Sequence, residues 1–159
     1  MTKTPTKTKD LDRLIASLQG IEIVTDPHQV AKLSGDYHSF SPILQTQLAG
    51  KTGDLVIRPG NESEVVRTAE ACVKYKIPLV VRGAGTGNYG QCVPLAGGAI
   101  LDMTRMQEIC WMKPGVARVQ AGAKLAAIDK KAREIGWEMR MAPSTYRTAT
   151  IGGFIAGGS

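Results

Sequence analysis

Ten of the 18 glycines in this chain of 159 residues crowd into two windows, six from Gly83 to Gly98 and four from Gly152 to Gly158. Helix and strand interiors are not built that way. Each glycine has about 1 kcal/mol less helix propensity than alanine and brings no side chain to pack. Dense glycine belongs where backbone turns left-handed or lies directly against a ligand. The fold must therefore hold two bare loops in place, and the remaining sequence has to supply the frame. A hydrophobic fraction of 43% with a charged fraction of 21% suffices for one buried core in a soluble globular chain.

Periodicity outlines that frame. Residues 1–9, MTKTPTKTK, are polar and basic, and a disordered tail is expected there. Leu11, Leu14, Ile15 and Leu18 follow at i, i+3, i+4 and i+7, which predicts a short amphipathic helix ending at Gly20. Residues 10–53 hold this helix and a connection, with GDYHSFS at Gly35 to Ser41 expected as a packed loop.

A third segment, residues 54–159, is punctuated more sharply. Leu55–Ile57 reads as a strand stopped by Pro59–Gly60. Asn61 with Glu64 predicts a capped helix start, and Val65, Val66, Ala69, Cys72 and Val73 are its expected apolar face. Pro78 leads into a strand at Leu79–Arg82, completing a strand–helix–strand run of the βαβ kind. AILDM, Ala99–Met103, is a further strand. A hairpin is expected around Pro114–Gly115, from Ile109–Met112 and Val116–Ala121. A helix from Lys124 to Ile135, with Leu125, Ile128, Ala132 and Ile135 on one face, stops at Gly136. Pro143 to Ser159 reads as a loop that approaches a ligand.

The first glycine loop follows a strand, and Gly85, Gly87 and Gly90 match GxGxxG. In the nicotinamide fingerprint a helix opens at once and an acidic residue follows about twenty positions on. Here Pro94, Gly97 and Gly98 exclude a helix of useful length, and Asp102 comes too early. No Gly-Lys-Ser/Thr is present for a P-loop. What remains is a strand followed by a long helix-free loop. Its successive backbone N–H groups can form a concave nest for an anion without any basic side chain, with Thr86 and Asn88 as added donors. Ser144, Thr145, Thr150 and Gly152–Gly153 make the second loop similar in chemistry, and the pair points to one long ligand touched at two places.

Other chemistries find less support. The net charge is +6, but Lys3, Lys7 and Lys9 of the tail supply half of it, and aromatic content is 5%; a nucleic-acid surface is not expected. Three scattered cysteines, Cys72, Cys92 and Cys110, fit a reducing compartment, and a cytoplasmic protein is expected. With two histidines, His28 and His38, and no CxxC pair, no metal site is expected. No apolar run has the length of a membrane span. Cys92, Trp111 and Trp137 read as packing residues and Asp102 as a turn acceptor. Arg82 is equally consistent with a phosphate contact and a local ion pair.

The ordered set of motifs resembles the FAD-binding PCMH-type domain of the vanillyl-alcohol oxidase superfamily, in the branch of glycolate oxidase D-subunits and D-lactate dehydrogenases. It comprises Pro59 with Glu64–Val65, Ile77–Pro78, the loop from Arg82 to Gly90 with Pro94, and Leu101-Asp-Met103. It continues through Val119-Gln-Ala-Gly122, Gly136, Pro143–Ser144 and Thr150-Ile-Gly-Gly153. The resemblance implies an α+β fold: a first subdomain containing the βαβ unit, with a short N-terminal helix before it, and a second subdomain that is truncated.

It also implies that Arg82, Gly83, Ala84, Gly85, Thr86, Gly87, Asn88 and Tyr89 wrap the FAD pyrophosphate. Pro143, Ser144, Thr150, Ile151, Gly152 and Gly153 would line the cofactor, with Ala156 and Gly158 beside it. No histidine stands in the first loop, so noncovalent FAD is expected. The reaction implied is hydride transfer to FAD from a 2-hydroxy acid or similar alcohol. Further oxidase subunits are conceivable partners, and no residue of this stretch is assigned as catalytic. A non-catalytic nucleotide- or anion-binding module and an inactive truncated remnant stay open as alternatives.

Overall fold

The computed structural model describes residues 5–158. Helix α1, Pro5–Ser17, starts inside the stretch assigned to a disordered tail, so residues 5–9 are helical; residues 1–4 lie outside the described residues.

Strand β1, Glu22–Val24, is followed by α2, Pro27–Leu33, a single 3₁₀ turn at Tyr37–Phe40, and α3, Pro42–Gln47. Then come β2 (Leu55–Arg58), α4 (Glu62–Lys74), β3 (Leu79–Arg82) and β4 (Ala99–Asp102). The four strands form one sheet in the order β1-β2-β4-β3, with β1 antiparallel to β2 and the other three parallel. The βαβ unit is present, but β4 sits between its two strands, so β2 and β3 are parallel without being neighbours.

Near-continuous apolar runs such as Leu55-Val-Ile57 and Ala99-Ile-Leu101 reflect burial on both faces of that sheet. Leu55, Ile57, Ala99 and Leu101 pack with Leu11 and Leu14 of α1, Leu18 just after it and Cys72 of α4. Val56 and Ile100 point the other way, toward Val30 of α2. Ser34, at the end of α2, donates to Val30 O at 2.7 Å and accepts from Gly53 N at 3.0 Å, which ties α2 to the entry of β2.

Helix α4 begins as the sequence indicates. Glu64 N donates to Asn61 Oδ1 at 3.0 Å, and the Glu64 carboxylate accepts from Gly60 N at 2.7 Å and Asn61 Nδ2 at 2.9 Å. Replacing Asn61 with alanine is expected to cost about 1 kcal/mol in urea unfolding. The buried face is rotated from the expected one. Thr68, Ala71 and Cys72 are buried with Val65 beside them, whereas Val66 and Val73 are exposed. Thr68 serves as a core residue because its hydroxyl donates to Glu64 O at 2.7 Å, leaving only its methyl to pack.

Strands β5 (Ile109–Lys113) and β6 (Val116–Val119) form the expected hairpin, and α5 spans Leu125–Arg133. The second glycine window departs from the loop expected of it: Ile151–Ala156 is a short helix, α6. With glycine at two of six positions its local propensity is poor. It is held instead by contacts outside itself, Ile151 N to Ala123 O and Gly152 N to Ala121 O, both at 2.9 Å. No helix among the described residues is long and apolar enough to cross a membrane.

Candidate functional site

The parallel strands β3 and β4 end side by side, at Arg82 and Asp102. Open α/β sheets place ligands outside such carboxyl ends, because chains diverging there leave a crevice. A cleft of about 630 Å³ opens at this point. One wall is the loop leaving β3, Gly83 to Tyr89, all seven residues of which line the cleft. The opposite wall comes from the second glycine window and the turn before it, through Pro143, Thr150, Gly152, Gly153 and Ala156. The two windows, 54 or more residues apart in sequence, are thus one site.

Four of the sixteen residues implicated by the sequence lie elsewhere. Ser144, Ile151 and Gly158 do not line the cleft. Ile151 instead places its amide on Ala123 O, at the start of α6. Arg82 is turned under the loop: its Nη1 donates to Leu33 O at 3.0 Å and Gly35 O at 2.5 Å, and lies 3.4 Å from Cys92 Sγ. The guanidinium is the loop's foundation. Gly85, at φ +68°, is seated on it, and a Cβ there would overlap the guanidinium atoms.

The loop's free amides belong to residues that line the cleft. The N–H groups of Gly85, Thr86, Gly87 and Asn88 donate to no other described residue. Four consecutive unpaired donors in glycine-rich backbone make an anion nest. In the opposite wall, Thr150 Oγ1 is buried without a hydrogen-bond partner among the described residues. An orphaned buried hydroxyl costs roughly 1–3 kcal/mol unless something in the cleft satisfies it. Gly83 abuts that hydroxyl so closely that a Cβ would overlap it, which is how the first wall meets the second.

Among the described residues no lysine or arginine lines the cleft, and Asp36 is its one charged residue. Apolar surface comes from Val81, Cys92, Met103, Ala121, Ala149 and Phe154. As cleft residues these, with Asp36 and Gln91, escaped the sequence reading. Most carry no polar signal, whereas Asp36 had one in the Gly35-Asp36 turn, where its carboxylate accepts from His38 N at 2.9 Å.

Burial pushes the Cys92 thiol up from its ordinary value, against the pull of Arg82, and burial pushes Cys72 up to about 11. Neither is poised as a nucleophile. Asp102 is a turn acceptor as expected, taking Thr104 N at 3.0 Å and Arg58 Nε at 3.1 Å. Trp111 and Trp137 are partly exposed and lie outside the cleft.

The cleft therefore combines an amide nest, an unsatisfied hydroxyl and an apolar floor, a donor set that fits a phosphate-bearing cofactor with a flat apolar end. Comparison with known proteins agrees. Over 104 residues the chain is 35% identical to the glycolate oxidase subunit GlcD of Escherichia coli K12, covering 64% of this chain and 21% of that protein. Over 103 residues it is 34% identical to a D-lactate dehydrogenase of Archaeoglobus fulgidus, covering 64% of this chain and 23% of that protein.

Among solved structures, an alkyldihydroxyacetonephosphate synthase superposes with a TM-score of 0.78 at 20% identity, over 99% of this chain and 32% of the other. That likeness shows the fold alone, and it upholds the α+β PCMH-type architecture. The family model described as "FAD binding domain" matches residues 53–159, so the chain belongs to the FAD-binding domain family of flavin-linked oxidoreductases.

Proposed function

We propose that this chain holds FAD noncovalently as the cofactor-binding part of an oxidoreductase acting on a 2-hydroxy acid or a similar alcohol. The observation that carries the cofactor reading is the pairing of four free amides, Gly85 to Asn88, with the orphaned Thr150 hydroxyl across one cleft. Bound FAD would supply hydride acceptance from the carbon that bears the substrate hydroxyl. The chain's own residues bind and orient. The nest would hold the pyrophosphate, Thr150 would donate or accept one hydrogen bond, and Val81, Met103 and Phe154 would keep water from the apolar end.

Noncovalent attachment is supported by the absence of histidine from the cleft lining and by the raised thiol of Cys92. The substrate class rests on the likeness to a glycolate oxidase subunit and a D-lactate dehydrogenase. The cysteine usage supports a cytoplasmic location, and further oxidase subunits are proposed as partners. No side chain is assigned as the base.

Titrating the purified chain with FAD and following flavin fluorescence tests the reading. Saturable quenching is expected, with all flavin returning to the supernatant after acid precipitation. Flavin retained in the pellet would refute noncovalent attachment, and no uptake at all would refute the cofactor reading itself.

A further inference from the structure

We propose that Asp36, outside the residues 53–159 matched by the family model, is a positioning residue that pins the glycine loop into its ligand-ready shape. The inference rests on the FAD reading of the cleft. Asp36 and its neighbours form a strap across the far end of the loop. Asp36 Oδ2 accepts from Gly90 N at 3.0 Å, and Tyr37 N donates to Gly87 O at 2.8 Å. Arg82 grips the same strap from below through the carbonyls of Leu33 and Gly35. The four-amide nest thus lies between two anchored points, Arg82 beneath and Gly87–Gly90 beyond.

The sign of the charge makes the assignment informative. A carboxylate beside a nest meant for an anion would repel it, and among the described residues Asp36 is the one charged residue lining the cleft. Its side chain, however, is only 1% exposed. Its other oxygen is engaged as well, taking His38 N at 2.9 Å and lying 2.9 Å from His38 Nδ1. A buried carboxylate needs several such partners, and here one of them is the loop. The N–H of Gly90 is thereby taken out of the nest and fixed, while the amides of Gly85 to Asn88, in residues that line the cleft, stay free. Preorganisation of this kind raises affinity by removing the cost of ordering the loop when ligand binds.

Hydrogen exchange of the whole chain without ligand, read at Gly90 and Tyr37, together with FAD titration, tests this in Asp36→Ala and Asp36→Asn. The alanine variant is expected to exchange at those amides about ten- to a hundredfold faster, with β2 and β4 amides unchanged. Its FAD affinity is expected to fall about tenfold or more, with the asparagine variant between it and the parent because it retains one acceptor. Should the alanine variant not fold, the asparagine variant carries both readouts alone.

Tighter FAD binding in both variants would mean that Asp36 acts by repulsion and would overturn the proposal. So would unchanged loop exchange, or acceleration equal to that of the β2 and β4 amides, the mark of a general loss of stability. If the parent chain takes up no FAD, the cofactor reading fails, while the exchange data still decide whether Asp36 pins the loop.

Discussion

Replacing Arg82 with leucine is expected to lower the stability of the chain by about 3 kcal/mol, read as a drop in the urea midpoint with an unchanged slope. The guanidinium is buried, and no carboxylate among the described residues forms an ion pair with it. Its partners are the carbonyls of Leu33 at the end of α2, of Gly35 just beyond it and of Ala84, together with Cys92 Sγ. Leucine fills much of the aliphatic volume and donates nothing, so three carbonyls lose a charged donor where water has little access.

Lysine keeps the charge but presents a single point of donation in place of a fork, and an intermediate loss is expected from it. FAD uptake should fall in both variants more than stability does, since Gly85 rests on the guanidinium. A midpoint within about 0.5 kcal/mol of the parent for Arg82→Leu would show that the arginine does not bear the loop.

The contrast between what Arg82 was expected to touch and what it touches shows which features a sequence carries. Local patterns were legible. The strand at Leu79, the capped start of α4 at Asn61, the hairpin around Gly115 and the stop at Gly136 each depend on residues within a few positions. The site was legible at the level of backbone, because three spaced glycines after a buried strand announce bare amides whatever surrounds them. Features set by distant partners were not legible. Arg82 reaches back nearly fifty residues, and Asp36 reaches forward to Gly90 across a similar span. The insertion of β4 between β2 and β3 is a choice of sheet order that no strand's own sequence encodes. Helix α6 runs against its propensity, because Ala121 and Ala123 supply acceptors for its first amides.

That last element provides a test in which two physical effects predict opposite signs. By propensity alone, Gly152→Ala in α6 should stabilise the helix by about 1 kcal/mol. Packing says the reverse. A Cβ on Gly152 would stand 2.8 Å from Ala121 Cβ, 2.9 Å from Ala121 O and 3.2 Å from Ala121 Cα. Two of those atoms are backbone and the third is fixed to it, so none can swing aside. Relief must come from lifting α6 off the Ala121–Ala123 segment, which strains the two 2.9 Å hydrogen bonds at its start and displaces the wall formed by Gly152, Gly153 and Phe154.

Overpacking of this kind costs about 1–3 kcal/mol, and here it falls on the geometry of the cleft. FAD affinity is therefore expected to weaken about tenfold in Gly152→Ala and about a hundredfold in Gly152→Val, whose branched side chain adds bulk at the same spot. Thr150 carries the unpaired hydroxyl immediately before α6, so any lift of the helix also moves the hydroxyl that abuts Gly83 of the first wall. Fluorescence titration of the parent and the two variants gives the order directly. An alanine variant that is both more stable and equal to the parent in FAD affinity would show that the wall yields, and that the second glycine window is not shaped by its approach to Ala121.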